Sequence, residues 1–436
     1  MVRQLLPISA LLFGSALLLF AGGINGLILP VRGGAEGFSA ASLGLLGAGW
    51  AIGYVLGCLA TPRLVSKVGH VRSFGVMCAF ASVSVLMSLV FMAPEAWIPL
   101  RAISGFCFAG AAMIVESWLS ERADASSRGK VFGLYTMVNL LASTGGQMSL
   151  TLGDTTGFLF FVLSAVFYSL ALVPTAISST ASPRPLRSVS LDLRGLWRNS
   201  PIAVVAVLFV GVSNSAFGTL AAVYADRMGL VLASVAMFAS LPILAGAISQ
   251  IPIGWLSDRM DRRKVLIGVC IIAVLTDLSF ILLQPESRMM NLVLASVFGA
   301  TIYAMYPILI AHANDHAPAD SGLQVSGGLL MIYGIGGIIG PTLAGFGMGL
   351  IGPSGLFITS ICAHVLIICF AILRIMKREA VPEEDKSTFV VVPPARTSTP
   401  EITALVYEDE PQDDPTGETA GPDDPAEETK PKIEDS

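Results

Sequence analysis

Twelve apolar runs, each about 20 residues long, follow one another from Leu5 to Ile375 and leave the chain little choice of fold. A run of that length crosses the hydrocarbon core of a bilayer as a helix, because a helix satisfies its own backbone polar groups where water is absent. The runs lie near 5–29, 40–61, 72–93, 97–119, 130–152, 156–177, 201–225, 231–256, 265–284, 289–311, 323–349 and 354–375. Charged residues make up 13% of the chain, against roughly 25% in a soluble domain, as burial in lipid demands. The first run, preceded by Arg3, exceeds the ~7–15-residue core of a secretory signal and reads as a retained first helix. The expected fold is an all-α membrane protein with twelve transmembrane helices.

The loops orient it. Eighteen Lys and Arg residues fall in loops on one side, while the other side holds only Arg32, Arg227 and Arg288. The positive-inside rule then places both termini in the cytoplasm of an inner (plasma) membrane protein. Residues 1–177 form a first six-helix half, 178–200 a cytoplasmic central loop rich in Ser, Pro and Arg, and 201–376 a second half. A shift of 194 positions sets Gly105 on Gly299, Glu121 on Asp315, Val131 on Val325 and Gly146 on Gly340, so the halves read as pseudo-symmetric repeats. The tail, 377–436, carries 17 of the 31 acidic residues and 6 of the 26 basic ones, a net charge of −11. With nine prolines after Ala380 it reads as disordered, with Phe389–Val392 and Ile402–Tyr407 as possible docking segments. All six cysteines sit in apolar runs without a C-x-x-C pair, which suggests neither disulfides nor a zinc site.

Between the eighth and ninth runs lies Gly254-Trp-Leu-Ser-Asp-Arg-Met-Asp-Arg-Arg-Lys-Val265, a tight charged turn. Its spacing, G-x-L-x-D-R-x-[GD]-R-R-x-V, resembles the loop signature of the major facilitator superfamily, with Asp261 where that pattern has Gly. Three further strings resemble the YcaD-like branch of that superfamily over roughly 5–376. They are Val115-Glu116-Ser117 with Arg128-Gly129, Gly146-Gln147, and Tyr306-Pro307 with Gly340-Pro341. The first-half loop, Gly57 to Arg72, lacks a counterpart of Asp258, and the Gly-Pro pattern linked to antiporters stands in the eleventh run rather than the fifth.

The resemblance implies two parallel halves rocking about a midplane site. It implies a gate lock made by Asp258, Arg259 and Arg262 within a signature that includes Gly254 and Arg263, with Asp258 acting at a helix N-terminus. It implies a cavity lined by the first, fourth, seventh and tenth helices, which offer Asn25, Arg101, Asn214, Phe217, Tyr224, Tyr303 and Tyr306. The Arg101-x-x-x-Gly105 pattern resembles the arginine signature of the family's fourth helix, linked to proton or substrate coupling. It also implies that the second and eleventh helices face each other across the seam between halves.

Other residues are read from position. Gly49, Gly53 and Gly57 make one stripe and Gly336, Gly340 and Ala344 another, each suited to close, sliding helix contact. Arg101 lies near an outer helix end and could simply snorkel to the headgroups. Glu116 is about 22 Å along the same helix, too far to pair with Arg101, and reads as a structural ion pair with Arg128. Gln147 joins the cavity candidates because a buried amide needs a partner. Asp277 and His364 read as packing or lipid-edge groups on peripheral helices. His312 and His316 have the i, i+4 spacing of a metal pair but no further ligands, and read as an interfacial helix end.

The expected function is a secondary transporter that moves a small solute by alternating access, with protons as the coupling ion. A drug or metabolite efflux antiporter is the alternative, and a transporter-like sensor signalling through its tail a third reading. No enzyme constellation is visible, no G-x-x-x-x-G-K-[ST] loop occurs, and no cofactor or metal is expected. The partners expected are the solute, protons and the bilayer, without nucleic acid, for a monomer.

Overall fold

In the computed structural model of the chain each of the twelve runs is a helix. The structure describes residues 2–122, 128–177, 192–318, 321–387, 389–392 and 399. The helices are α1 (Val2–Ala35), α2 (Ala40–Val68), α3 (His70–Val90), α4 (Pro94–Arg122), α5 (Arg128–Ser149) and α6 (Leu159–Ile177). A short connector, α7 (Leu193–Asn199), precedes α8 (Pro201–Arg227), α9 (Leu232–Arg259), α10 (Arg262–Leu283), α11 (Arg288–Asn314), α12 (Gly322–Ile351) and α13 (Gly355–Ile375). Local chemistry sets several ends. The Ser39 hydroxyl accepts from the Ser42 amide at 3.0 Å and caps α2. Gly69, at φ 85°, turns the chain from α2 straight into α3, a backbone shape that side chains resist.

Among the described residues, eleven of the twelve long helices are apolar enough to span a membrane, and α5 is the exception. Its polar residues are explained by what it lines, described below. Ile248, Ile251, Leu275 and Leu282 lie exposed on the bundle's outer surface, where acyl chains take the place of water.

Helix pairing repeats between the halves. In the first, α2 packs on α4, α1 on α5 and α6, and α3 on α4 and α6; in the second, α9 packs on α11, α8 on α12 and α13, and α10 on α11 and α13. The repeat reaches single residues. A Cβ at Gly146 of α5 would lie 2.1 Å from the Phe20 carbonyl of α1, and one at Gly340 of α12 would lie 2.1 Å from the Val212 carbonyl of α8.

The glycine stripes therefore face elsewhere than the resemblance implies. Gly49, Gly53 and Gly57 close onto the Ile98, Ala102 and Phe106 carbonyls of α4, and Gly336 onto the Leu208 carbonyl of α8. Both stripes pack helices inside one half. The α2–α12 seam between halves uses a different face: Gly44 against Pro341, Gly345 against Ala40, Ala51 against Gly337, and Val55 against Gly334. Periodicity shows which residues share a helix face, not which neighbour that face meets.

Twelve crossings put the start of α1 and the end of α13 on one side, here called the terminal face. Contacts between halves gather toward the opposite face. There Gln147 of α5 meets Ser240 of α9, Gly34 of α1 approaches Asp226 of α8, and the 3₁₀ turn Leu150–Leu152 meets α9. At the terminal face the tail touches both halves, with Val392 bonded to Gln250 of α9 and Thr399 to Glu116 of α4.

Candidate functional site

A cavity of about 190 Å³ lies between the halves, walled by α1, α2, α4, α5 and α6 on one side and by α8, α9 and α11 on the other. Its polar wall is α5. Tyr135, Asn139, Ser143 and Gln147 recur every fourth residue, one stripe on one helix face, and all line the cavity with Thr136 and Thr144. Lining water rather than lipid is why α5 carries too many polar groups to count as an apolar span. Asn139 accepts a hydrogen bond from Ser15 of α1 at 2.8 Å, which fixes its amide. Gln147 accepts from Ser240 of α9 at 2.7 Å and so joins the halves.

Among the described residues, the guanidinium and the carboxylate that line the cavity both belong to α4. Arg101 is 8% exposed and Glu116 1%, and both lie on the cavity wall. They are separated along the helix by about 22 Å, which excludes a direct pair but sets opposite charges at the two ends of one chamber. Glu116 accepts from the Tyr135 hydroxyl at 3.1 Å and from the Thr399 hydroxyl of the tail. It is thus a cavity group, not only a helix-end ion pair; the Arg128 side chain expected beside it lies outside the described residues. The second half contributes a blander wall of Phe217, Thr219, Ala239, Ile243 and Tyr303.

Of the other expected lining residues, four sit elsewhere. Asn25 is 2% exposed and is not among the residues that line the cavity. Asn214 donates to the Ile302 carbonyl at 3.1 Å, tying α8 to α11. Tyr224 stacks in an aromatic core with Phe238, Phe280 and Phe357. Tyr306 meets Tyr333 edge to face at 5.5 Å, beside the seam. Belonging to the right helix was not enough; each points from its helix toward a neighbour. The α5 stripe was the signal sequence reading missed, although Gln147 was one of its members.

Asp277 and His364 are not at a lipid edge. Both are fully buried inside the second half, with His364 Nδ1 3.4 Å from Asp277 Oδ2. Ser360 lies 2.8 Å from Ser213 of α8, and among the described residues neither Asp277 carboxylate oxygen has a hydrogen-bond partner.

The signature turn lies at the terminal face. Asp258 sits in the last turn of α9, not at a helix N-terminus; Asp261 is the N-cap of α10 and accepts from the Arg263 amide at 3.0 Å. Burial alone would push the Asp261 carboxyl up, but hydrogen bonds from the Arg263 side chain and backbone outweigh it and hold it below the usual carboxylate range. Arg262 is the centre of the network. It pairs with Asp315 at 2.7 Å and with Asp258 at 3.1 Å. Arg263 donates to the Arg374 and Arg378 carbonyls and ties α10 to the end of α13. Arg259 lies 3.9 Å over the Trp255 ring and takes no part in the network. Every one of these partners belongs to the second half or its tail. Of the expected gate lock of Asp258, Arg259 and Arg262, the structure brings together Asp258 and Arg262, in a clasp that among the described residues lies within the second half and its tail.

The His312 and His316 rings lie 4.5 Å apart, tilted by 53°, and His316 Nδ1 lies 2.9 Å from the His312 carbonyl. No third His, Cys, Asp or Glu completes a metal site with them among the described residues. Burial pushes the His316 imidazole below its ordinary value, with the His312 carbonyl acting in the other direction.

The tail is not uniformly loose. Lys386 donates to the Asp258 and Met260 carbonyls at 3.0 and 2.8 Å, and the Ser387 hydroxyl donates to Asp315 at 2.7 Å. Arg262 donates to the Ser387 carbonyl, the Phe389 amide to Asp258 at 3.1 Å, and the Val392 amide to Gln250 at 3.0 Å. The Phe389 ring rests on Gly254, where any Cβ would come within 2.3 Å of it. Of the two stretches read as possible docking segments, Phe389–Val392 makes contacts with α9, and Ile402–Tyr407 lies outside the described residues.

Comparison with known proteins agrees with this architecture. The family model described as Major Facilitator Superfamily matches residues 11–341 and 237–407. The uncharacterized MFS-type transporter YE1530 of Yersinia enterocolitica is 25% identical over 399 residues, covering 88% of this chain and 98% of its own length. The uncharacterized MFS-type transporter YcaD of Salmonella newport is 22% identical over 342 residues, covering 78% of this chain and 88% of its own. Among solved structures, the nucleoside transporter NupG superposes with a TM-score of 0.70 at 13% identity, covering 86% of this chain and 100% of its own. A bacterial homologue of the human lysosomal transporter Spinster, inward-facing and occupied, gives 0.67 at 15% identity, covering 89% of this chain and 99% of its own.

Proposed function

The chain belongs to the major facilitator superfamily, and from that premise we propose that it is a secondary active transporter that moves a small polar solute by alternating access, coupled to protons. The observation that carries the reading is the cavity, with Arg101, Glu116 and the α5 stripe on one wall and an aromatic, apolar wall facing them. Ligand sites combine apolar walls with a few placed polar groups in this way. The volume, about 190 Å³, falls below the ~300–1,000 Å³ of drug-sized sites and favours a compact solute over a bulky drug. Charges this deep in a bilayer-spanning helix are costly to keep and mark a solute or ion path by default. Arg101 would attract an anionic or electron-rich group; Glu116, which binds a proton in exchange for the Tyr135 hydrogen bond, is the coupling group.

The bias of Lys and Arg toward the terminal-face loops supports an inner-membrane protein with that face in the cytoplasm. Contacts between halves at the other face then support an inward-facing arrangement. The test is reconstitution into vesicles loaded with a pH-sensitive dye and challenged with sugars, amino acids, nucleosides and cationic drugs in turn. One class should move protons, and Glu116→Gln should abolish proton movement while leaving counterflow exchange of that solute. Failure of every class to produce flux in either direction would overturn the reading. The sign of the proton flux separates symport from efflux antiport.

A further inference from the structure

At the terminal face, outside the lining of the main cavity, the second half groups chemistry suited to recognition. It offers a buried guanidinium (Arg262) paired with a buried carboxylate (Asp315), an amide (Gln250) and a bare glycine (Gly254). On the first half stands Glu116. Guanidinium, carboxylate and amide together recognise a peptide backbone, since one donates to a carbonyl and the others accept from amides. A glycine beside them makes room for one aromatic ring.

We propose that this face is a peptide-binding site and that its ligand is the chain's own tail, which plugs the cavity and wedges the two halves apart until it is released. The tail fits each feature. Arg262 donates to the Ser387 carbonyl, Asp315 accepts from the Ser387 amide and hydroxyl at 2.9 and 2.7 Å, and Gln250 accepts from the Val392 amide at 3.0 Å. Phe389 fills the seat over Gly254. Val392 is 2% exposed and Thr399 is fully buried, the latter donating to Glu116. A single segment thus grips one half through Lys386–Val392 and reaches the other at Thr399, at the carboxylate that the transport reading makes the proton carrier. While Thr399 holds Glu116, that carboxylate has a protein partner in place of a proton or solute, and closure of this face would have to expel the segment. The anchors are neutral or basic, and the tail's acids lie mostly beyond them in sequence.

The proposal rests on the transport reading only for its consequence, not for its geometry, and two measurements keep them apart. In the full chain with exposed Cys362 and Cys369 replaced by serine, Gln250→Cys with Val392→Cys should form a disulfide on mild oxidation, with no solute present. Absence of that cross-link would overturn the seat. In the same background Thr136→Cys, on the cavity wall, should react slowly with a membrane-impermeant maleimide added at the tail side. Truncation after Glu379 should speed the reaction roughly tenfold, as expected if the plug occupies nine molecules in ten. Phe389→Asp in the full-length chain should do the same, a check that holds if the truncated protein fails to fold. A synthetic peptide of residues 380–400 should restore protection to the truncated protein. Equal rates with and without the tail, or no protection by the peptide, would overturn the plug even if solute transport is demonstrated.

Discussion

Arg262 has two carboxylate neighbours of unequal worth. Its pair with Asp315 is buried on both sides, at 1% and 1%, and uses two nitrogens at 2.7 and 3.3 Å. Its pair with Asp258 is an i,i+4 contact in which the carboxylate is 36% exposed. Breaking a buried pair by removing one partner costs about 3–5 kcal/mol, whereas a helical i,i+4 pair is worth about 0.3–0.5 kcal/mol. Asp315→Asn should therefore lower the thermal midpoint of the purified protein by several degrees while Asp258→Asn leaves it nearly unchanged, and equal shifts would refute this ranking. The motif made Asp258 conspicuous in sequence. Asp315 was visible in sequence as the repeat counterpart of Glu121 but not as a partner of Arg262, which lies 53 positions away, a distance over which spacing carries no information. Gln147 offers a second case at this scale. Its bond to Ser240 crosses the halves, yet Ser240 also donates to Ala236 at 2.7 Å, so Gln147→Leu orphans no hydroxyl. The loss should be about 1 kcal/mol, roughly a fivefold shift in population toward opening at the opposite face. Spin labels at exposed Glu95 and Met289, on the two halves, would report it as a longer-distance component.

Helices show how far periodicity reaches. All twelve spans were legible, because a run of about 20 apolar residues has one stable solution in a bilayer. Even α5, the least apolar, was placed within a few residues. What periodicity could not supply was the neighbour, which is why both glycine stripes turned out to serve contacts inside a half. A Cβ at Gly53 would lie 1.8 Å from the Ala102 carbonyl, and nothing lies within 4 Å of one at Gly26 or Gly133. Gly53→Val should thus force α2 from α4, at about 1–3 kcal/mol or more, and reduce folded yield, while Gly133→Ala should be neutral in the same expression and thermal-unfolding assay. If Gly133→Ala proves as harmful as Gly53→Val, close backbone approach is not what the stripe is for.

At the scale of the whole molecule, charge is divided between a body of net +6 and a tail of net −11. Composition alone made that tail an unstructured appendage with Phe389–Val392 as a possible docking segment, and there is a definite reason why composition says no more about the contacts of Lys386, Ser387, Phe389 and Val392. The segment needs only one ring and a few backbone bonds to dock, too little to alter an average over sixty residues, and its partners are supplied by a turn about 130 positions away. Protease added to inside-out vesicles should cut the tail, and protease added to intact cells should not; the reverse would invert the assigned topology. The unequal division of chemistry between the cavity walls has an outcome of its own. Among the described residues, the two charged side chains on its walls, Arg101 and Glu116, stand on one lobe, so the facing lobe can be recarved around Phe217 and Tyr303. On the proposed transport reading, a change of cargo would then leave the charged lobe untouched.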